Sequence, residues 1–496
     1  MPEPASNPGG SPMPVPLHPV SGTARPAEKF VGIHIAAHSP LDEGIDHCLD
    51  LLRDSAAVTA PMVSPYAYYG AMMRPLALMA DHGVAKKDNS NRKLPMVWVR
   101  HRDKYFTDTS LRHPSPGKDC EYADRDVLVE LAEPLRKRGM KLYVRIYEPG
   151  GASAAKHIAN WAKAVEIDAA GKPLGKPCFN NPEFRAWTVG TVRDLFENYP
   201  IEGLQYGAER SGPVGGMLIW AGSPACFCPF CLARAKQSGI DGERARKGMT
   251  ELHTFLKGLR EGAAAPSEGA LAGVLRIFMN YPEVLAWERQ WHVANNDVHR
   301  LIRDAVKAIR PAADVGRHVS HVESSFDPFY RAGAPYEEMA DACDFVKPIL
   351  YHEIFGPRLR GYLDTVGKTV LRGLSPAQAL DLFYALFGHD PAAEGGLEKI
   401  VEVGLSPEYV YRETKRGVDA LQGKARMYAG IGLDIPKGAG WGTQPWPSDP
   451  ERLYRAVRRA FDAGGAGIVI SREYEENRVE SLKVVGRAVR DMEALR

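Results

Sequence analysis

Short apolar runs alternate with segments of helical spacing along most of this chain, and this alternation restricts the fold more than any other feature. Short apolar runs between turn residues are typical of strands that are buried in a parallel sheet. Eight strands are predicted, at 29–38, 58–69, 141–148, the first part of 201–212, 315–323, 345–353, 426–434 and 467–472.

Helices are predicted between these strands because apolar residues recur there every three or four positions. Ile45, Leu49 and Leu52 show this spacing in the first helix, at 41–52. Eight strands that alternate with helices indicate an α/β fold, the (β/α)8 TIM barrel. The other predicted helices span 127–138, 182–199, 285–309, 376–387, 407–421, 449–463 and 478–492.

A doubly wound open sheet would produce the same alternation of strands and helices. Such sheets often carry a Gly-x-Gly-x-x-Gly motif after the first strand, and this chain has none there. A dinucleotide site is therefore unsupported. We favour the closed barrel and predict no organic cofactor.

The domain organisation follows from local composition. Residues 1–28 are rich in Pro, Gly and Ser and lack an apolar core, so they are predicted to form a flexible arm and not a signal peptide. The barrel is predicted to span 29–496, with long loop insertions at its mouth. One is the polar segment 86–118, and another is a helical insertion at about 232–284.

Charge and cysteine content exclude several functions. The formal net charge of +2 leaves no basic excess for binding nucleic acid. No run of about 18 apolar residues is present, so no membrane partner is expected. Seven cysteines, an odd number in 496 residues, fit a reducing compartment, and the cytoplasm is predicted. An oligomer is compatible with the sequence, which contains no legible interface pattern.

In a barrel of this type the working side chains lie at the carboxyl ends of the strands. Carboxylates are predicted at six of these ends, with aromatic residues nearby in the chain. Acids bind sugar hydroxyls and aromatic rings stack on sugar faces, so the pattern suits a carbohydrate. The predicted substrate-binding residues are Tyr147, Glu148, Arg210, Glu323, His352 and Arg472.

Paired carboxylates are also what glycosidic bond cleavage requires, one to give a proton and one to attack or to activate water. Glu209 is the first candidate, as general acid/base, because the small residues around it leave space. Glu353 and Asp434 are candidates for the second carboxylate, and Glu353 ranks ahead because His352 could orient it. Acids at strand ends also serve as helix caps and ion-pair partners. Glu473, next to the last helix, is interpreted as helix-start charge.

Four cysteines form a second functional motif, which indicates a metal site. Cys226, Cys228 and Cys231 follow the pattern Cys-x-Cys-x-x-Cys, which brings three thiolates within reach of one ion. A tetrahedral zinc site needs four ligands, and Cys178 is the natural fourth. A structural zinc is predicted, with reduced buried thiols as the alternative. Four thiolates leave no open position, so such an ion would hold a loop in place and would not catalyse.

This arrangement resembles that of family 42 β-galactosidases, in which a zinc-binding cysteine cluster follows the glutamate of the fourth strand. Here Glu209 precedes the cluster, and Cys178 lies 48 positions before Cys226. The resemblance implies a (β/α)8 retaining glycosidase with Glu209 as acid/base. The chain departs from the family where Ala208 replaces its asparagine and where Asp434 replaces the nucleophile glutamate of strand seven. It therefore resembles a divergent glycoside hydrolase.

Two other functions fit the same barrel. A metal-dependent lyase or isomerase of sugar acids would need a catalytic ion held by Glu148, Glu209, Glu323 or His352. A sugar-binding protein without catalysis would fit the absent asparagine. The predicted function is cleavage of a glycosidic bond in carbohydrate metabolism, with a carbohydrate or glycoside as substrate.

Overall fold

A computed structural model of the chain describes residues 29–68, 80–84, 92–437 and 445–494. Eight parallel strands close into a barrel in the order β1-β10-β9-β8-β7-β6-β3-β2, which confirms the predicted (β/α)8 fold. Strands β4 and β5 form a separate antiparallel hairpin. The strands are β1 (Phe30–Ala36), β2 (Ala60–Ser64), β3 (Tyr143–Tyr147), β4 (Val165–Ile167), β5 (Pro173–Pro177), β6 (Gly203–Gly207), β7 (Asp314–Val319), β8 (Phe345–Pro348), β9 (Arg426–Gly432) and β10 (Gly467–Ser471).

The helices cover the outside of the barrel and occupy the long connections. Side-chain caps set several helix starts: Asn181 accepts a hydrogen bond from Glu183 N, and Asp449 accepts one from Arg452 N. The helices are α1 (Ser39–Glu43), α2 (Ile45–Ala56), α3 (Val127–Lys137), α4 (Gly151–His157), α5 (Pro182–Asn198), α6 (Pro213–Trp220), α7 (Pro229–Gln237), α8 (Gly242–Arg260), α9 (Ala270–Asn280), α10 (Glu283–Ile309), α11 (Pro328–Gly333), α12 (Tyr336–Met339), α13 (Phe355–Val366), α14 (Pro376–Phe387), α15 (Pro391–Glu394), α16 (Leu397–Val403), α17 (Pro407–Leu421), α18 (Pro450–Asp462) and α19 (Val479–Ala494).

Some predicted segments lie outside the described residues. These are the arm at 1–28, residue 69 at the end of the second predicted strand, and residues 86–91 of the polar segment 86–118. The range 232–284 contains α8, α9 and most of α7. Residues of these helices, such as Met249 and Leu252, pack with Met217 of α6 and Trp287 of α10 in a hydrophobic cluster distinct from the main core. Among the described residues, no helix combines the length and apolar character needed to cross a membrane.

The bottom of the barrel interior is filled by aromatic rings. Phe30 stacks on Tyr428 with ring centroids 4.3 Å apart, and Tyr143 and Phe345 complete the layer from two further strands. A Cβ on Gly316 would lie 2.0 Å from the ring of Phe345, so this strand must have glycine where the ring crosses it. The layer closes the barrel at the end opposite its mouth.

The layer above it is polar. Gln205 donates to His34 at 3.0 Å, and Lys347 Nζ donates to Ser471 Oγ at 3.0 Å. Burial lowers the pKa of Lys347 to about 7. A Cβ on Gly430 would come within 2.5 Å of Lys347 Cε, so glycine on β9 leaves room for this side chain. This hydrogen-bonded layer forms the floor beneath the mouth.

Candidate active site

A cavity of ≈ 930 Å³ opens at the carboxyl ends of the barrel strands. Its wall combines acidic, basic and aromatic side chains, which is typical of sites that bind polar ligands with apolar faces. Trp220, 62% exposed, lies at the rim. The acids that line it are Glu166, Glu209, Glu323 and Glu473, and its larger aromatic side chains are Tyr147, Trp220, Trp291, Tyr351 and Tyr362.

Glu209 follows β6 and receives a hydrogen bond from β7. His318 Nε2 lies 2.6 Å from Glu209 Oε1. Burial lowers the pKa of His318 to about 4, so its imidazole is neutral and Nε2 is assigned the proton that it donates. A Cβ on Gly207 would lie 2.9 Å from the ring of Tyr147 and 3.2 Å from His318 Cβ. Glycine there allows both residues to approach the acid.

Glu323 lies in the turn of π-helix Val322–Phe326 that follows β7. It is 2% exposed, and burial raises its pKa to about 8, with a further increase from the nearby charge of Glu209. No group of the described chain donates a hydrogen bond to its Oε2. Glu323 is therefore mostly protonated at neutral pH.

Glu473 extends the last strand, β10, into the same cavity. Its Oε2 accepts a hydrogen bond from Arg145 Nη2 at 2.9 Å, across the barrel on β3. The charges of Glu209 and Glu473 both raise the pKa of the buried Tyr147. Both acids therefore lie within electrostatic range of one tyrosine that lines the cavity.

Arg210 forms part of the cavity wall and is held from several sides. It forms ion pairs with Glu148 at 3.2 Å and with Glu166 at 2.5 Å. Its guanidinium lies 4.8 Å from the ring centroid of Phe179 and 5.4 Å from that of Trp291. These contacts fix the position of the guanidinium.

The structure brings five of the nine predicted catalytic and substrate-binding residues to the cavity. Glu148, behind the wall, pairs with Arg210, and burial raises its pKa to about 7. The five that line the cavity are Tyr147, Glu209, Arg210, Glu323 and Arg472, and the four outside its lining are Glu148, His352, Glu353 and Asp434.

The two candidates for the second carboxylate, Glu353 and Asp434, form hydrogen bonds with the segments next to α18 and α19 and do not line the cavity. Asp434 is fully buried: its Oδ1 accepts from Ser448 N and Ser481 Oγ, and its Oδ2 accepts from Arg478 N at 2.7 Å. Glu353 accepts a hydrogen bond from Asp449 N at 2.9 Å. Both therefore orient the backbone that leads into α18 and α19.

His352 is also removed from the cavity. It is fully buried, and burial lowers the pKa of its imidazole to about 3. Neither ring nitrogen has a hydrogen-bond partner among the described residues. A neutral imidazole in this position packs as part of the core.

Several cavity residues were not among the predicted site residues. Glu473 has a sequence signal: Val469 packs inside the barrel and Ser471 binds Lys347, so strand alternation also directs Glu473 inward. Glu166 has no such signal, because it belongs to the β4–β5 hairpin and not to a barrel strand. Others without a prediction are Lys176, Trp291, His321, Tyr351 and Arg358.

The four cysteines of the predicted metal site come together. All are buried, and their sulfurs lie within 4.8 Å of one another. Cys178 Sγ lies 3.5 Å from Cys228 Sγ and 3.4 Å from Cys231 Sγ. Zinc–sulfur bonds of about 2.3 Å in a tetrahedron place sulfurs about 3.8 Å apart, so the cluster fits such an ion. Ile167 N donates to Cys226 Sγ, as expected for a thiolate. The cluster could hold a metal ion.

Two of the four residues named as possible metal ligands for the alternative lyase lie in the cavity lining. Glu148 and His352 lie outside the cavity lining, whereas Glu209 and Glu323 belong to it. Among the described residues, one group brings three or more potential metal ligands close enough to bind a single ion, and that group is the cysteine cluster.

No protein-family model matches the chain, and no curated protein matches it in sequence. Its fold is similar to that of solved structures. The β-galactosidase of the Antarctic haloarchaeon Halorubrum lacusprofundi aligns with a TM-score of 0.51 at 11% identity, over 94% of this chain and 58% of that one. The β-galactosidase of the psychrophilic Marinomonas ef1 aligns with a TM-score of 0.49 at 11% identity, over 94% and 60%.

The chain thus spans about three-fifths of the length of these two β-galactosidases. At this identity the similarity concerns the fold, and it agrees with the closed barrel described above. The predicted resemblance to a divergent TIM-barrel glycoside hydrolase is therefore confirmed at the level of the fold and of the four-cysteine cluster.

Proposed function

We propose that this chain is a glycoside hydrolase-like enzyme that cleaves a glycosidic bond in the cavity at the barrel mouth. The observation that carries the proposal is the pair formed by Glu209 and Glu323. Burial keeps Glu323 protonated near neutral pH, whereas Glu209 accepts a hydrogen bond from His318. A carboxyl group that burial keeps protonated, together with a second carboxyl group in the same cavity, is what acid-assisted cleavage needs.

In this proposal Glu323 gives its proton to the leaving oxygen, and Glu209 attacks the anomeric carbon or activates a water molecule. The sequence predicted Glu209 as the general acid/base. In this proposal Glu209 takes the ionised role instead, with its Oε1 2.6 Å from His318 Nε2. Glu473, paired with Arg145, adds a further carboxylate to the cavity, and the exposed Trp220 at the rim offers a ring on which a sugar could stack.

We also propose that the four-cysteine cluster binds Zn²⁺. With four thiolate ligands the ion has no open position for substrate, so it supplies structural stability and not chemistry. Cys178 follows β5, and Cys231 lies in α7, so the ion would join two segments that are distant in the chain. Gly175 and Ala225, close to these ligands in sequence, line the cavity.

Replacement of Glu209 tests the proposal. E209Q retains the size of the side chain and a hydrogen-bonding oxygen but cannot attack or act as a base. We expect turnover on a panel of p-nitrophenyl glycosides to fall by at least about 100-fold, with unchanged thermal unfolding. The matched control is E353Q, outside the cavity lining, which should retain turnover.

Two outcomes would contradict the proposal. If E209Q retains turnover, Glu209 has no catalytic role. If the wild-type chain binds sugars but turns over no glycoside in the panel, a sugar-binding barrel is the better description.

A further inference from the structure

Within the described part of the chain, three arginines line the cavity, and Arg358 differs from Arg210 and Arg472 in its ion pairing. It extends from α13 into the cavity and is partly buried, yet no carboxylate of the described residues lies within salt-bridge distance of its guanidinium. By contrast, Arg210 is paired with Glu148 and Glu166, and Arg472 is paired with Glu476.

The neighbours of Arg358 hold it without neutralising it. Its Nη1 donates to His321 Nδ1 at 3.2 Å, and its guanidinium lies 5.3 Å from the ring centroid of Tyr351. His321 in turn lies 3.1 Å from Tyr409 Oη through Nε2. Burial lowers the pKa of His321 well below its ordinary value, so the imidazole is neutral and Nδ1 is available as an acceptor.

A second cation increases the positive charge at this position. Burial has the largest effect and lowers the pKa of Arg358. The charge of Arg472 lowers it further and the charge of Glu209 raises it, so both groups lie within electrostatic range of the Arg358 guanidinium. Both side chains line the cavity. A partly buried cation with a like charge nearby and no anion in contact is unfavourable, unless a ligand supplies the anion.

We propose that Arg358, held by His321 and Tyr351 and neighboured by Arg472, anchors a subsite for an anionic sugar group, either the carboxylate of a uronic acid or the phosphate of a sugar phosphate. Both groups present paired oxygens that match the planar fork of a guanidinium. This inference rests on the proposed function for its location, and it names the substrate class: acidic sugars or their glycosides.

Binding of monosaccharides tests the subsite without any need for turnover. Calorimetry on the wild-type chain would compare D-glucuronate with D-glucose, D-galacturonate with D-galactose, and D-glucose 6-phosphate with D-glucose. We expect at least one anionic sugar to bind about 10- to 100-fold more tightly than its neutral counterpart. The comparison with the larger difference in affinity between the anionic and the neutral sugar identifies the anionic group that the subsite binds as a carboxylate or a phosphate.

Variants of Arg358 connect the preference to this residue. R358Q should reduce the affinity for the anionic sugar to that for the neutral sugar, and R358K, which retains the charge but not the fork, should have an intermediate effect. R360Q is the matched control, because Arg360 lies on the same helix, is exposed and pairs with Asp364. R360Q should leave both affinities unchanged. Thermal unfolding of each variant shows whether it is folded.

Equal affinity for anionic and neutral sugars would overturn the inference, as would an unchanged preference in R358Q or no binding of any anionic sugar up to about 10 mM. Failure of the proposed function is distinguishable. A chain that prefers anionic sugars but cleaves no glycoside retains the subsite and loses the activity. A chain that cleaves glycosides but binds anionic and neutral sugars with equal affinity retains the activity and loses the subsite.

Discussion

At the scale of single residues, the protonation state of Glu323 has a direct kinetic consequence. Its pKa of about 8 means that the carboxyl holds its proton below pH 8 and loses it as the pH rises through that value. If Glu323 is the proton donor, kcat should fall above pH 8. E323Q should lower kcat by about 100- to 10,000-fold and abolish this alkaline limb.

The control for this pH profile is D327N. Asp327 is also buried, and burial raises the pKa of its carboxyl to about 7, but it lies outside the cavity lining and caps α11. D327N should retain the alkaline limb but move it to lower pH, because the charge of Asp327 contributes to the raised pKa of Glu323. An alkaline limb that persists in E323Q, or disappears in D327N, would show that the proton comes from another group.

Asp434 provides a second test at this scale. It accepts hydrogen bonds from Ser448, Arg478 and Ser481, and its φ of +52° is one that Asn tolerates. D434N retains one acceptor oxygen and loses the other. We expect urea denaturation to show a loss of about 1–3 kcal/mol in the free energy of unfolding, with kcat retained. A large loss of kcat without a loss of stability would restore Asp434 as a catalytic candidate.

The same residues show what the sequence could predict of the site. Strand alternation correctly directs Glu473 inward, because it continues the inward series of β10. At Asp434 the alternation fails, because the left-handed backbone turns the chain after β9 and directs the carboxylate toward α19. Glu353 lies five residues beyond the end of β8, where alternation no longer applies. Knowing where each strand ends was therefore not enough to predict which side chains enter the cavity. The backbone conformation after each strand is also needed.

At the scale of elements, the cysteine cluster makes the strongest prediction. The purified chain should contain one zinc per molecule, and C228S should lose it and unfold at a lower temperature. C343S is the control, because Cys343 is a buried thiol outside the cluster that donates to Met339 O. Elemental analysis and thermal unfolding measure both effects. A wild-type chain without bound metal, or C228S with full zinc content, would contradict the assignment.

The elements themselves were predicted well where the sequence has strong periodicity. The bounds of α14 and α17 agree with the predicted helices at 376–387 and 407–421, because Pro at the first position and a left-handed residue after the last one mark their ends. The β4–β5 hairpin had no prediction. Its strands are short, and β5 (Pro173–Pro177) contains two prolines and no alternating apolar pattern. Its contribution of Glu166 to the cavity was therefore also unforeseen.

At the scale of the whole molecule, the alternation of eight strands with helices predicted an α/β fold, and the absence of a Gly-x-Gly-x-x-Gly motif after the first strand favoured the closed barrel over an open sheet. The cavity could not be predicted in the same way. It depends on side chains that meet across the barrel from distant parts of the sequence, as Glu209 meets His318 and as Glu473 meets Arg145. Neither pairing leaves a periodic signal, because each depends on the register between neighbouring strands.

Closure of the ring by pairing of the first strand with the last bears on synthesis of the chain. β1 pairs with β10 from Phe30 opposite Gly467 onward, so the ring stays open until the last strand has left the ribosome. Until then the nascent polypeptide would lack Glu473, which forms an ion pair with Arg145. The cavity would be complete only after β10 has been synthesised, and a premature stop before residue 467 would leave two unpaired strand edges exposed to aggregation.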